Sequence, residues 1–285
     1  MIPIEPIFTV ELFPGLGAEL LGVLKSLPPA AWELPTACAD WTVKDVTAHL
    51  LGGTLSRLSF GRDRLAHPRL GILKMDYEAL VQAIDRQNAE WVEIARRFSY
   101  PLLVDFLALT DPQLYAYFKG LPPFGASGPP VSWAGDTHSP NWFDIAREYT
   151  EKWLHQQHVR QAVGRPVLDG REWLFPVLDT FLRALPYTYR NLEAAEGTAI
   201  GFLITGGAGG DWTLRREEAV QREQNAWRLY AGREPEATAR VSMNQDTAWR
   251  LFTKGISPET ARTGIQLEGD EALGMPILQM VSIMA

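Results

Sequence analysis

The sequence predicts two domains, an all-α bundle of antiparallel helices at residues 1–195 and a small α+β domain at residues 196–285. Apolar residues recur at helical spacing through most of the first two thirds of the chain, in segments joined by short to moderate connections. After about residue 195 the pattern changes to short runs that alternate between apolar and polar residues, as strands do. A chain of 285 residues is long enough for two hydrophobic cores.

Most of the predicted helices have a recognisable start or stop signal. The first ends before the pair Pro28 and Pro29, and the second begins at Thr42, which can form a reciprocal cap with Asp45. Asp76 is a good N-cap for the third helix. The predicted helices cover residues 9–26, residues from 42 onward, 76–94, part of 100–118, 140–163 with Ser139 as cap, and 171–191.

Residues 119–140 interrupt the helical pattern. This segment is rich in glycine, proline and serine, so we expect a long loop. Long ordered loops in compact domains are often functional. The loop leads directly into the helix that contains Glu151 and His155.

The second domain begins with a predicted β-hairpin. The segments AIGFLIT and DWTLRRE have strand character, and the glycine-rich run between them is a turn signal. Further short strands are expected at AWRLY, TARVSMN and IQLEG. TAWRLFTKG predicts a short helix, with Asp246 as its cap, and LGMPILQMVSIM predicts a final helix.

His49, Glu151 and His155 are the most informative residues of the chain. Glu151 and His155 are four residues apart, so a helix projects them from one face, one turn apart. His49 lies on the apolar, inward face of the helix that begins at Thr42. Two imidazoles and one carboxylate suit a divalent metal ion that keeps open positions for water or substrate. We therefore predict one divalent ion at these residues, with zinc as the expected metal and nickel as the alternative.

Three further residues have two interpretations each. His158 follows His155 by three residues and is either a fourth ligand or base beside the metal, or a residue at the solvent edge. Arg160 either orients a carboxylate substrate or forms a surface salt bridge. Cys38 has no obvious activating neighbour in the sequence, which favours a buried structural thiol over a nucleophile.

Charge and composition exclude several functional classes. The net charge is −7 and no dense lysine or arginine run occurs, so a nucleic-acid partner is not expected. No apolar run reaches the ~18 residues that span a bilayer, and the N-terminal segment lacks the features of a secretory signal. The single cysteine excludes an intrachain disulfide and fits a reducing cytoplasm. These features predict a cytoplasmic protein whose partners are small molecules, and they leave the oligomeric state open.

Two motifs carry a resemblance to a known family. PPAAWELPTACADWTVKDVTAHL contains a Trp, then Pro-Thr and a Cys, then a Trp-Thr-Val helix start and a closing Ala-His-Leu. The second motif is Glu-x-x-x-His followed by Arg160 and Gly164. Together they resemble the mycothiol-dependent maleylpyruvate isomerase family of the DinB-like metalloenzyme superfamily. The resemblance implies that His49, Glu151 and His155 are metal ligands, which spacing had already selected.

The end of the chain resembles the C-terminal domain of the same family, which is related to sterol carrier protein 2. The matching features are the WTL strand, the AWRLYAG segment, the helix with Trp-Arg-Leu at 249–251 and the closing VSIMA. The resemblance therefore implies a DinB-like antiparallel four-helix bundle joined to an SCP2-like α+β domain. The chain departs from the family at His158, where relatives commonly have Asp, and in the 119–140 loop.

The function implied by this resemblance is thiol-dependent catalysis at a metal. The family's isomerase adds mycothiol to a conjugated double bond, allows rotation and then eliminates the thiol. The chain offers only Cys38 as a thiol, so a low-molecular-weight thiol such as mycothiol would supply the nucleophile. The reaction is then an isomerisation or an S-transfer on a small organic acid or electrophile. Two alternatives remain open, a non-catalytic protein that binds metal and apolar ligands, and a metal-hydroxide hydrolase.

Overall fold

The computed structural model describes residues 1–66, 77–218 and 226–283, which form two compact units. The helical unit consists of the described residues of 8–130 together with residues 138–168. The sheet unit consists of residues 1–7, 131–137 and the described residues from 169 on. The predicted boundary at residue 195 differs from this division, because residues 169–195 group with the sheet.

Five α-helices form the framework of the helical unit within the described residues. Each matches a predicted helix, although Asp76, the predicted cap of the third, lies outside the described part of the chain. A six-residue π-helix, Arg57–Arg62, follows the second. The five helices are α1 (Phe13–Lys25), α2 (Val43–Ser56), α3 (Tyr77–Ala95), α4 (Tyr100–Lys119) and α5 (Asn141–Ala162).

The core of the helical unit lies between these helices. Helices α1 and α2 each contact both α4 and α5, and α3 packs against α2. Val43 and Val46 are fully buried, so the face of α2 that they share with His49 is directed into the unit. Among the described residues, no helix has the length and apolar character needed to cross a membrane.

The predicted 119–140 loop is held against the start of α5. The backbone N–H of Asn141 donates to the carbonyl of Gly125 at 2.8 Å, and its side chain donates to the carbonyl of Pro122 at 3.0 Å. These bonds set the first turn of α5, whose N-cap is Pro140 instead of the predicted Ser139. Residues 131–137 of the loop belong to the sheet unit.

The sheet unit contains one six-stranded sheet with the order β1-β4-β3-β2-β5-β6. Strands β2 and β5 are parallel, and all other neighbours are antiparallel. The predicted hairpin of β2 and β3 is confirmed. Its turn requires Gly209, because a Cβ there would overlap the carbonyl of Ile204. The strands are β1 (Ile2–Pro3), β2 (Ala199–Thr205), β3 (Gly210–Arg216), β4 (Trp227–Ala231), β5 (Ala239–Asn244) and β6 (Gln266–Gly269).

Helices pack along the sheet, and they include the segment that the sequence assigned to the bundle. The predicted helix at 171–191 is two helices, and its first part belongs to the sheet unit because it packs on a helix that follows β5. The indole N–H of Trp212 also donates to Asp179 at 3.1 Å. The predicted final helix forms only one short α-helix and a 3-10 turn. The helices of this unit are α6 (Arg171–Leu182), α7 (Leu185–Thr188), α8 (Gln245–Phe252), α9 (Pro258–Arg262) and α10 (Glu271–Gly274).

Candidate metal centre

Helices α2 and α5 bring His49, Glu151 and His155 together. Nε2 of His49 lies 2.9 Å from Oε1 of Glu151, and Nε2 of His155 lies 3.0 Å from the same oxygen. The centroids of the two imidazole rings are 4.6 Å apart. One ligand atom from each residue lies within 4.8 Å of the other two, a separation that one metal ion can bridge. The three residues selected by spacing therefore form one cluster.

The position of His49 depends on how α2 begins. Thr42 and Asp45 form the predicted reciprocal cap, in which Oγ1 of Thr42 accepts from the N–H of Asp45 at 3.3 Å. In return, the N–H of Thr42 donates to Asp45 at 3.1 Å. Nε of Arg96, just beyond α3, donates to the same carboxylate at 2.9 Å. The start of α2 is thus fixed about two turns before His49.

The rotation of α5 is fixed by two buried residues that directly follow Glu151. Nζ of Lys152 lies 2.6 Å from Oδ2 of Asp111 on α4. The indole N–H of Trp153 donates to the carbonyl of Leu168 at 3.0 Å. With Lys152 and Trp153 held by these partners, the adjacent Glu151 lies against His49 of α2.

Electrostatics in the cluster favour a carboxylate beside an imidazolium. Burial raises the pKa of Glu151, but His155 and His49 outweigh burial and hold that pKa well below its usual range. Burial lowers the pKa of His155, but the charge of Glu151 and the hydrogen bond to Cys38 outweigh it and raise the pKa to about 10. Without a metal ion, the cluster therefore holds a proton at neutral pH.

The cluster is partly open to solvent. The side chains of His49 and His155 are 11% and 13% exposed, whereas that of Glu151 is 38% exposed. A small molecule approaching the three residues would therefore meet them on the side of Glu151. This partial exposure would let a ligand from solution reach an ion bound there.

Cys38 lies next to this cluster, which the sequence did not reveal. Its Sγ is 3.0 Å from Nδ1 of His158 and 3.6 Å from Nδ1 of His155. Burial raises the pKa of the thiol, but these two histidines outweigh burial and lower the pKa to about 6. The expectation that Cys38 has no activating neighbour is wrong, because its partners lie 117 and 120 residues further along the chain.

The remaining candidates occupy different positions. His158 contacts Cys38, and with His155 these residues form a second group whose ligand atoms lie within 4.8 Å of one another. Arg160 is directed elsewhere, since its Nη2 lies 2.6 Å from Glu19 on α1 and its Nη1 donates to the carbonyl of Pro166 at 3.1 Å. Its described contacts hold α5 against α1.

A buried charge network precedes the cluster on α5, and the sequence did not reveal this network either. Nη2 of Arg147 donates to Asp144 at 2.7 Å and to Glu148 at 2.6 Å. Arg57 pairs with the same Asp144. Two arginines and two carboxylates thus compensate one another one turn before Glu151.

The donor set of the first group fits a divalent metal. Two imidazole nitrogens and one carboxylate oxygen match the preferences of zinc, and a catalytic zinc site has three protein ligands with a fourth position open. His155 belongs to both groups. Glu151 of the first group lies next to its Nε2, whereas Cys38 of the second group lies next to its Nδ1.

Comparisons with known proteins show the family and the fold of the chain. The model of the mycothiol maleylpyruvate isomerase N-terminal domain matches residues 13–160, just over half of the 285 residues. The crystal structure of the mycothiol-dependent maleylpyruvate isomerase has a TM-score of 0.50 at 11% identity, covering 85% of this chain and 86% of that one. A histidine-to-alanine mutant of the mycothiol-dependent isomerase has a TM-score of 0.51 at 11% identity, covering 91% of each chain. These structures share the fold, a helical N-terminal region followed by a region with a sheet. No curated protein matches the chain.

Proposed function

The chain belongs to the family of the mycothiol maleylpyruvate isomerase N-terminal domain, and on that premise we propose that it is a divalent-metal-dependent enzyme that uses a low-molecular-weight thiol of the mycothiol type. The reaction is the isomerisation of a small organic acid, or S-transfer to a small electrophile. The observation that carries the proposal is the grouping of His49, Glu151 and His155 within the region that the family model matches.

In this proposal, Nε2 of His49, Nε2 of His155 and the carboxylate of Glu151 hold one ion, zinc or alternatively nickel. The low pKa of Glu151 keeps its carboxylate ionised and available as a ligand at neutral pH. When bound, the ion supplies Lewis-acid chemistry that lowers the pKa of a thiol by several units, so that a thiolate is available near pH 7.

The thiol comes from solution because the one cysteine of the chain is already engaged. Cys38 contacts His155 and His158 and lies outside the three-residue ligand group. In an isomerisation, the sulfur of the thiol adds to one carbon of a conjugated double bond. The resulting single bond rotates, and departure of the sulfur restores the double bond and the thiol. The exposed side of Glu151 is where thiol and substrate reach the cluster.

The finer description of the fold is part of the proposal. Helices α1, α2, α4 and α5, with their ring of mutual contacts, are a DinB-like antiparallel four-helix bundle. The sheet unit is an SCP2-like domain. A cytoplasmic location accords with a single cysteine that forms no disulfide.

Metal binding is the first test. Purified protein should bind about one zinc ion per chain with three protein ligands, and elemental analysis measures this content. His49→Ala should reduce the bound zinc to near zero. His138→Ala, which removes an exposed histidine outside the cluster, is the matched control and should retain it. Unchanged zinc content in His49→Ala would refute the ligand assignment.

Turnover is the second test. The zinc-loaded protein should isomerise maleylpyruvate with mycothiol present and lose this activity when the thiol is omitted. The same two variants should differ in turnover: His49→Ala should be inactive, and His138→Ala should remain active. Bound zinc without turnover on any thiol would favour the metal-hydroxide hydrolase or the non-catalytic binding protein.

A further inference from the structure

Two groups of side chains meet at the imidazole of His155, one at each ring nitrogen. Nε2 lies 3.0 Å from Oε1 of Glu151, on the side of the proposed metal. Nδ1 lies 3.6 Å from Sγ of Cys38, within the range of hydrogen bonds to sulfur. A neutral imidazole that gives its Nε2 lone pair to a metal has its proton on Nδ1. In the metal-bound state Sγ of Cys38 is therefore the acceptor that faces this proton.

The turn that contains Cys38 is closed by its own hydrogen bonds. The N–H of Cys38 donates to Oγ1 of Thr36 at 3.2 Å, and its carbonyl accepts from the N–H of Trp41 at 3.1 Å. Pro35 and Thr42 close the turn as a β-bridge. Since Thr42 is also the N-cap of α2, one short segment fixes both Cys38 and the helix of His49.

His158 holds the sulfur from the other side. It follows His155 by one turn of α5, and its Nδ1 lies 3.0 Å from Sγ of Cys38. The rings of the two histidines are 5.3 Å apart and nearly perpendicular, so both can direct a ring nitrogen at the same sulfur. Cys38 is thus held between two side chains of α5.

We propose that Cys38, held by His158, is a positioning residue for the metal centre, in which Sγ accepts the Nδ1–H of His155 and keeps its Nε2 directed at the ion. The inference rests on the proposed function, because it assigns His155 as a ligand. Metal-bound histidines usually donate their second N–H to a carboxylate or carbonyl, which fixes the orientation of the ring. Here a cysteine sulfur occupies that place.

The same geometry argues against a second ion at Cys38, His155 and His158 alongside the first. Both ring nitrogens of His155 would then have to be ligands, which needs an imidazolate in place of a neutral ring. It also argues against Cys38 as a direct ligand of the first ion, because Cys38 does not share the group of His49 and Glu151.

The test is zinc affinity, measured by chelator competition in full-length protein. Cys38→Ala removes the acceptor and should weaken zinc binding by about 10- to 100-fold, the usual effect of losing such a partner. Cys38→Ser keeps an acceptor and should recover part of the loss. His158→Ala should have a smaller effect than Cys38→Ala, since the sulfur remains. Equal affinity of wild type and Cys38→Ala would overturn the inference, and so would Cys38→Ser binding no better than Cys38→Ala.

Spectroscopy separates positioning from other roles. In zinc-loaded protein labelled with ¹⁵N-histidine, the Nδ1 proton of His155 should exchange slowly in wild type and Cys38→Ser and rapidly in Cys38→Ala. The cobalt-substituted protein should show no sulfur-to-metal charge-transfer band, and such a band would make Cys38 a ligand instead. Loss of turnover in Cys38→Ser with zinc affinity intact would make it a nucleophile.

Failure of the proposed function gives a different result. Wild-type protein that binds no zinc would refute the metal centre and the positioning role together. Zinc binding that depends on His49 but not on Cys38 would refute the positioning role alone. Circular dichroism of each metal-free variant checks that it is folded. If Cys38→Ala is unfolded, comparison of Cys38→Ser with wild type decides, and a proton exchange rate in Cys38→Ser that matches solvent-exposed histidines would overturn the inference.

Discussion

A single carboxylate oxygen contacts two imidazole nitrogens at this site, and the contact decides how the metal-free protein is protonated. Oε1 of Glu151 lies about equally far from Nε2 of His49 and Nε2 of His155, at 2.9 and 3.0 Å. The carboxylate stabilises the charged form of His155, which raises its pKa to about 10. A metal ion must therefore displace a proton from this ring, because only the neutral imidazole has a lone pair to donate.

Zinc affinity should consequently rise with pH. The pKa of His155 is raised to about 10, so the ring is protonated throughout the neutral range and becomes increasingly available as the pH increases. Glu151 has a lowered pKa and stays ionised, so it adds no opposing trend. Release of one proton corresponds to an increase in affinity of up to about tenfold per pH unit. Chelator competition between pH 6.5 and 8.5 measures this slope, and a flat or falling affinity would contradict the assigned protonation.

The residues of the site were predictable to different degrees. Glu151 and His155 lie on one helix, so their spacing alone places them together, and His49 is marked by the apolar face it shares with Val43. Cys38 has no such mark. It lies in a turn, and helical periodicity does not determine which distant side chains such a turn meets.

At the scale of elements, the packing of α2 against α3 supports the helix that contains His49. The indole N–H of Trp91 on α3 donates to the carbonyl of Ala48 at 2.7 Å. A Cβ at Gly52 would overlap this indole, so the close approach of the two helices requires glycine there. The adjacent Gly53 is exposed, and a Cβ at that position would meet nothing within 4 Å.

These two glycines give a matched pair of substitutions with opposite expected effects. Gly52→Ala should lower the free energy of unfolding by about 1–3 kcal/mol, because the methyl group displaces Trp91 and strains its hydrogen bond. Gly53→Ala should raise it by about 0.5–1 kcal/mol, since alanine costs less backbone entropy than glycine inside a helix. Urea unfolding of the metal-free protein, followed by helical circular dichroism, measures both. Equal effects of the two substitutions would argue against the packing of Trp91 on Gly52.

Local sequence signals predicted the helices and strands themselves better than they predicted which of these elements contact one another. The reciprocal cap of Thr42 and Asp45 is confirmed because both partners lie within four residues of one another. The hairpin of β2 and β3 is confirmed for the same reason, since its glycine-rich turn is local. The predicted helix at the end of the chain is shorter in the structure, where a proline lies in the 3-10 turn Met275–Gln279.

At the scale of the whole molecule, the division into units followed only partly from the sequence. The change from a helical to an alternating pattern near residue 195 lies just before the first residue of β2, Ala199. It did not reveal that α6 belongs to the sheet unit, because an amphipathic pattern shows that a helix has an apolar face and not which partner covers it. The bond from Trp212 to Asp179 connects β3 with α6 across 33 residues, beyond any local signal.

The ligands proposed for the metal all lie in the helical unit, so hydrogen exchange should locate the effect of zinc there. Zinc at 100 times its dissociation constant stabilises the folded state by about 2.7 kcal/mol. Amides of α2 and α5 that exchange through unfolding of the unit should therefore slow by up to about 100-fold. Amides in β2, β3 and β5 should slow less, because those strands contribute no ligand, and His49→Ala should remove the effect. Slowing that is confined to the strands would place the ion outside the cluster of His49, Glu151 and His155.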